Sequence, residues 1–481
     1  MTRYDYIVIG AGSAGCVLAN RLTENPETTV LLLEAGNPDT KPEIHIPLEC
    51  THLPGTEVDW GYFSEPEPYL NNRQIFLPRG KVLGGSSSIN FLVYIRGNHR
   101  DYDYWQELGN PGWSYQDVLP YFKKSENQQR GADAYHGVDG ELSVTDVTAP
   151  AVASQRFIDA AVELGYPYNP DFNGKQQSGA GPIQMTIKDG KRHSAAAAFL
   201  LPILQRPNLT TTTGALVTRL LFEGTRAVGV EYLHEGALQQ ARVNSEVILS
   251  AGAFDSPKLL MLSGIGDAEQ LQAMGIPVVA DLPGVGQNLQ DHILVPVVYN
   301  ATQDLHTATT SDGIAETGLF LHSENNLDAA PDLELVFGPI LLSPPGYPIS
   351  RLGFTGLIAL VHPENIGSVK LRSHDPKDVP MIRLNYLQSQ SDVNKLIAGI
   401  RLMRQLFQTS AFDEFRGEEI VPGAEVQSDE ALEAFVRENC GTVYHPIGTC
   451  KMGTDPMAVV DSELRVYSVE GLRVVDASVM P

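Results

Sequence analysis

Tyr6-Ile7-Val8-Ile9-Gly10-Ala11-Gly12-Ser13-Ala14-Gly15, followed by the helix-spaced Cys16 to Thr23 and by Val30-Leu31-Leu32-Leu33-Glu34, decides the fold. The apolar runs at 6–9 and 30–33 predict two buried strands, with a glycine turn and a short helix between them. Strand, helix and strand in that order make a βαβ unit, normally part of a parallel sheet with helices on both faces. The turn reads G-x-G-x-x-G. Gly10 permits the tight turn, Gly12 lets backbone approach a pyrophosphate, and Gly15 lets the helix pack close to the strand. The helix N-terminus adds partial positive charge. Glu34 ends the second strand, 19 residues after Gly15, where a carboxylate can accept hydrogen bonds from a ribose diol. In this context the motif predicts dinucleotide binding, and it does not separate FAD from NAD.

At 481 residues the chain is too long for one simple core, and at roughly 150 residues per domain it predicts two or three structural units. A hydrophobic fraction of 42% excludes a disordered chain. Acidic residues number 58 against 34 basic ones, a formal charge of −24. Such a chain gains no counterion release on nucleic acid and is repelled by anionic lipid, so neither is an expected partner. The four cysteines, at 16, 50, 440 and 450, form no C-x-x-C pair and no zinc spacing. No metal site and no disulfide framework are expected, which suits a reducing compartment. The N-terminus runs straight into a strand with no signal-peptide pattern, and the longest apolar runs fall well short of the ~18 residues that span a bilayer. The expectation is a soluble cytoplasmic protein without a membrane span.

Further along, residues 101–126 predict a helix. A loop-rich stretch leads to β-runs over 209–250, punctuated by Gly224 and Gly236, that end in a strand returning to the sheet at 246–252. Leu333 to Phe337 alternates, Gly367 to Arg372 is another strand, and Asp392 to Phe407 is a long amphipathic helix. These predict a second, antiparallel-sheet domain covering the first. The last residues return to strand and turn at Gly471 to Ala477. No repeat or low-complexity tract is present.

Two more blocks carry chemistry. Pro78-Arg79-Gly80-Lys81-Val82-Leu83-Gly84-Gly85-Ser86-Ser87-Ser88-Ile89-Asn90 sets glycines and serines where amides and hydroxyls can face a phosphate or a flat ring, and it is too apolar for a flexible linker. Gly252 to Gly266 reads as a capped helix closed by glycines. At these residues the chain resembles the glucose–methanol–choline (GMC) oxidoreductases, in particular their bacterial choline and alcohol dehydrogenase branch. The resemblance extends to Asp59-Trp60, Arg96-Gly97, Leu282 to His292, Tyr444 to Gly453 and Val475 to Ser478, so it covers essentially the whole chain.

The resemblance implies an α/β, two-domain fold: a Rossmann-like FAD-binding domain (1–155 and 195–300, with a return at 440–481) and an antiparallel-sheet substrate-binding domain (156–194 and 301–439). It implies FAD held at its pyrophosphate by Gly10, Gly12, Ser13, Ala14 and Gly15 and at its ribose by Glu34 and Ala35. Trp60, Arg79, Val82, Gly84, Gly85, Ser86, Asn90, Phe91, Leu92 and Val93 are expected around the flavin and phosphates. Val217 is expected near the adenine, and Ala251, Gly252, Tyr444, Asp476 and Ala477 complete the cofactor set. Some family oxidases attach FAD through a His in the Gly-Gly-Ser block. The matching position here is Ile89, so non-covalent FAD is expected.

Alcohol oxidation needs a base for the hydroxyl proton, and a neutral imidazole suits that step. Of the 12 His, His445 lies in the motif that the family sets over the reactive face of the flavin, and it is the general-base candidate. His292 reads as fixing a turn, and His99, His193 and His374 as surface or loop residues. The family's second active-site His or Asn follows the Asp-Ala-Ser-x-Met-Pro segment, which is matched here by 476–481 at the end of the sequence. The leading expectation is oxidation of a primary alcohol, of choline, aliphatic or aromatic type, with dioxygen or a quinone or dye as electron acceptor. An FAD-containing hydroxynitrile lyase, a fatty acid photodecarboxylase and a C-terminally truncated FAD-binding pseudoenzyme stay open beside it. The sequence carries no signal for oligomeric state.

Overall fold

The first sheet is built around two fully apolar strands. Ile7 and Val8 of strand Arg3–Ile9, and all of Val30–Leu33, are buried, as a parallel sheet covered on both faces requires. In the computed structural model, which describes residues 3–305, 313–324, 329–344, 346–347 and 352–481, the strand order is Leu209–Thr212, Val30–Leu33, Arg3–Ile9, Ala237–Leu249, Arg226–His234, Leu216–Glu223. The first four are parallel, and the last two join as antiparallel hairpins turned at Gly224 and Gly236, both with positive φ. Strand Leu472–Val474 adds in parallel beside Val247–Leu249, so the chain's last strand returns to its first sheet.

The second sheet is antiparallel, in the order Arg416–Val421, Ile293–Ala301, Gly353–Leu360, Leu333–Gly338, Thr317–Leu321, Gly179–Pro182. Its odd-numbered positions 293, 295, 297, 333, 335 and 337 pack on helices Val152–Glu163 and Gln390–Gln408. The contact is close because two glycines permit it. A Cβ on Gly356 would meet Met403 Sδ at 2.4 Å, and one on Gly399 would meet Ile358 Cγ2 at 2.4 Å. The opposite face, which carries Phe320 and Val336, packs with Phe91, Val93 and Met185. It therefore faces the segment expected to line the flavin.

Three local expectations change. The helix predicted over 101–126 is two helices, His99–Glu107 and Tyr115–Ser125, separated by a turn in which Gly109 and Gly112 take positive φ. The loop-rich stretch contains helix Val152–Glu163, whose N-cap is Ala151 and makes no side-chain cap bond, so no capping signal marked it. Helix Gly252–Leu262 also lacks a side-chain cap at Ala251. The backbone N of Gly252 is instead held at 2.8 Å by the carboxylate of Asp476. All four cysteines are free and buried. Among the described residues, no helix is long and apolar enough to cross a membrane.

Candidate active site

The glycine turn and the Gly80 to Asn90 block, distant in sequence, meet through backbone. Gly84 N donates to Ala11 O at 2.7 Å, and a Cβ on Gly85 (φ +54°) would strike Gly12 Cα at 2.7 Å. A Cβ on Gly12 would come no nearer to protein than 3.9 Å, so backbone there borders open space. Helix Ser13–Leu22 starts at this point with no side-chain cap and no acid in its first turn, leaving its first N–H groups for an anion. Glu34 closes the turn: its two carboxylate oxygens accept from Ala11 N at 2.7 Å and Gly36 N at 2.8 Å. Burial pushes its pKa up to about 7 against these two backbone donors. Ala215 N donates to the carbonyl of Glu34, which brings the strand carrying Val217 to the same edge. These features fit a dinucleotide whose pyrophosphate lies on the helix N-terminus.

The residues expected on the flavin side are held by unrelated parts of the chain. Asn90 Oδ1 accepts from Leu92 N at 3.1 Å and from Arg192 at 2.6 Å, and Leu92 takes a left-handed φ of 64°. Arg192, which sequence reasoning missed, is buried and also donates to Ser87 O and Ile44 O. Among the described residues no carboxylate pairs with it, and burial lowers its pKa to about 10. Ser86 Oγ accepts from Gly80 N at 3.2 Å. Phe91 stacks at 6.2 Å on Tyr444, and Val93 pairs in a short ladder with Met185. Asp476 accepts from Gly252 N, from Ser256 Oγ and from Ser478 N, and Ala477 O accepts from Gly448 N. Ala251 N donates to Ser256 Oγ at 3.1 Å. Trp60 stacks on Tyr62 at 5.8 Å with Lys81 over its ring, and its backbone N donates to the carbonyl of Arg79, whose guanidinium reaches Tyr444 O.

His445 is fixed from behind. Its backbone N donates to Asp291 Oδ1 at 2.8 Å, while Asp291 Oδ2 accepts from Tyr386 OH and Thr442 Oγ1, both at 2.6 Å. Arg79 donates to Tyr444 O at 2.6 Å and receives its own orientation from Asp59, which accepts from Arg79 N at 2.7 Å. The His445 ring is exposed, yet desolvation by the surrounding protein, with Arg79 second, pushes its pKa down to about 4. An accessible ring set that deep in protein lines a cleft.

Its Nδ1 lies 3.1 Å from Nδ1 of His292, with the rings nearly perpendicular. The structure thus corrects the reading of His292 as a turn residue. Ile293, Val295 and Val297 face the helices, so the alternation sends His292 to the opposite face, toward His445. That signal was present in the sequence. Desolvation, then His445, lowers the pKa of His292 to about 3, so both rings are neutral near pH 7. His193 lies in a loop, as expected, but is buried there, and its Nδ1 accepts from Ser143 N.

Family models for GMC oxidoreductase match residues 4–294 and 363–481. The mitochondrial choline dehydrogenase of Mus musculus is 45% identical over 99% of this chain and 85% of its own length. The oxygen-dependent choline dehydrogenase of Brucella anthropi is 42% identical over 99% and 91%. Among solved structures, pyridoxine 4-oxidase from Mesorbium loti aligns with a TM-score of 0.93 at 32% identity, covering 99% of this chain and 94% of that one. A formate oxidase of Aspergillus oryzae, described for its FAD modification, aligns at 0.91 and 27% identity, covering 100% and 94%. By these matches the chain belongs to the GMC oxidoreductase family, as an FAD-dependent oxidoreductase acting on alcohols.

Proposed function

We propose that the protein oxidises a primary alcohol, of choline, aliphatic or aromatic type, to the aldehyde, with His445 as general base. The observation that carries this reading is the neutral His445–His292 pair, with the His445 backbone held by Asp291. Two neutral rings 3.1 Å apart share one Nδ1 proton. The base-competent tautomer is the one in which His445 Nδ1–H donates to His292 Nδ1, leaving a lone pair on His445 Nε2. On taking the hydroxyl proton, His445 becomes an imidazolium that keeps this bond, so His292 supports both forms. FAD, when bound, supplies the hydride acceptor at its N5. The cradle at Gly10, Gly12, Ser13, Ala14, Gly15, Gly84 and Gly85 would hold its pyrophosphate, Glu34 its ribose, and Asn90 to Val93 with Asp476 the flavin and ribityl side.

Several finer points belong to the same proposal. FAD is bound non-covalently, because Ile89 offers no nucleophile at the attachment position. Dioxygen or a quinone or dye accepts the electrons. The domains divide as 1–155, 195–300 and 440–481 against 156–194 and 301–439, except that strand Ile293–Ala301 lies within the second sheet and so belongs with the second unit; the return of Leu472–Val474 to the first sheet supports the C-terminal assignment. A cytoplasmic location is proposed with the bacterial relatives in its favour and a mitochondrial relative against it. Anaerobic addition of choline, aliphatic and aromatic alcohols to the FAD-loaded protein tests the reading. Flavin bands that bleach with one class support it, and bands that persist with all of them overturn it.

A further inference from the structure

Arg192 is a buried cation bonded only to neutral groups. It ends the short hairpin of Ile187–Lys188 and Lys191–Arg192 and is 3% exposed. Its acceptors are Ile44 O at 2.7 Å, Ser87 O at 3.2 Å and Asn90 Oδ1 at 2.6 Å. Its Nη2 meets no acceptor among the described residues. The titratable group that acts on it is the Cys50 thiol, which burial raises to about 11, so it is uncharged near pH 7. Arg192 itself, at about 10, stays charged there. A buried charge held by neutral acceptors alone costs stability, and the fold gains nothing from it that a smaller side chain would not give. What the cation does locally is set the Asn90 amide. Leu92 N and Arg192 Nη1 are both donors, so the Asn90 atom between them is the oxygen, with both lone pairs taken. The Asn90 NH2 therefore turns away from Arg192. It donates to nothing among the described residues, and Asn90 is exposed. The base of this arrangement is rigid: Leu92 is held at a left-handed φ of 64°, and its carbonyl accepts from Thr186 N at 2.8 Å.

We propose that Arg192 is a positioning residue for the flavin: it turns the Asn90 NH2 toward the ring and, through that polarised amide, stabilises negative charge on the reduced cofactor. The proposal rests on the reading that Asn90 to Val93 border the flavin, and it is independent of the base assigned to His445. A hydride brings two electrons and one proton, so its transfer turns the neutral oxidised ring into a monoanion. A cation fixed one amide away favours that product over the oxidised form. Among the described residues no carboxylate is bonded to Arg192 to cancel its field, and burial keeps water from screening it.

The test is the midpoint potential of the flavin in the FAD-loaded protein, measured by equilibration with a reference dye and no alcohol present. Arg192→Met should lower the equilibrium constant for reduction about 10- to 100-fold, a fall of about 30–60 mV for a two-electron couple. Arg192→Lys, which keeps the charge, should recover at least half of that fall. Asn90→Ala should lower the potential by itself, and adding Arg192→Met to it should change the constant by less than about 3-fold. Because no substrate enters the measurement, a protein that oxidises no alcohol yet shows this pattern loses the assigned reaction and keeps the role of Arg192. A parental potential in Arg192→Met, equal falls in Arg192→Met and Arg192→Lys, or an undiminished fall on the Asn90→Ala background overturns the proposal. Weaker FAD retention at an unchanged potential also overturns it and assigns the cation to the pyrophosphate. If Arg192→Met does not fold, a parental potential in Asn90→Ala is enough to refute it.

Discussion

Asp291→Ala would probe how the base is held. The Asp291 carboxylate, 3% exposed, accepts three hydrogen bonds: from Tyr386 OH and Thr442 Oγ1 at 2.6 Å and from His445 N at 2.8 Å. Bonds to a charged group contribute about 1.5–3 kcal/mol each, and removing their shared acceptor leaves buried donors unsatisfied. Allowing for water entering the space, the loss comes to about 4 kcal/mol, at the upper end of single substitutions. Released from Asp291, the His445 backbone shifts, and a displacement of about 1 Å lowers the rate roughly 100-fold. Asp291→Asn behaves differently. Its carbonyl oxygen still accepts from His445 N, and its amide can donate to the two hydroxyls, so about 1–2 kcal/mol is lost and flavin reduction slows about 10-fold. Urea unfolding of the FAD-loaded proteins and anaerobic stopped-flow reduction measure the two quantities. An Ala variant within about 1 kcal/mol of the parent and reduced at the parental rate would refute the reasoning.

Gly12→Ala should fold normally, since the added methyl meets no protein atom closer than 3.9 Å, yet retain at least about 10-fold less FAD because backbone can no longer reach the pyrophosphate. Flavin absorbance per mole of purified protein reads this, and full FAD content contradicts it. His136 provides a pH signature. Burial alone would lower its pKa, but hydrogen bonds to Asp171 and Glu126 outweigh that and raise it to about 9. The folded value exceeds the unfolded one, so the stabilisation is complete below about pH 6.5 and is lost as pH rises through 9, about 3 kcal/mol in all. The difference in urea stability between parent and His136→Gln should shrink across that window. A constant difference contradicts the assignment.

The parts of the fold that were legible in sequence are those with a local signal. Ile7 to Gly15 gives strand and turn because β-branched residues and glycines act over a few positions. The hairpins around Gly224 and Gly236 follow for the same reason. Helix Val152–Glu163 was not legible, since its cap makes no side-chain bond and half of its buried face is alanine, which a periodicity reading undervalues. At the site, Gly10, Gly12, Gly15 and Glu34 lie within one local unit. Arg192 and Asp291 act across 102 and 154 positions, on Asn90 and His445, and no local pattern announces such contacts. His292 is intermediate. Its neighbours' alternation pointed it away from the helices, but only the structure brought His445 to meet it.

The most direct test of the central claim is anaerobic stopped-flow reduction of the FAD-loaded His445→Ala variant by an alcohol that bleaches the parent. The account predicts unchanged FAD content and a reduction rate lower by about 10²–10⁴-fold, the usual contribution of a positioned acid–base group. Reduction at the parental rate, with FAD bound, would contradict it.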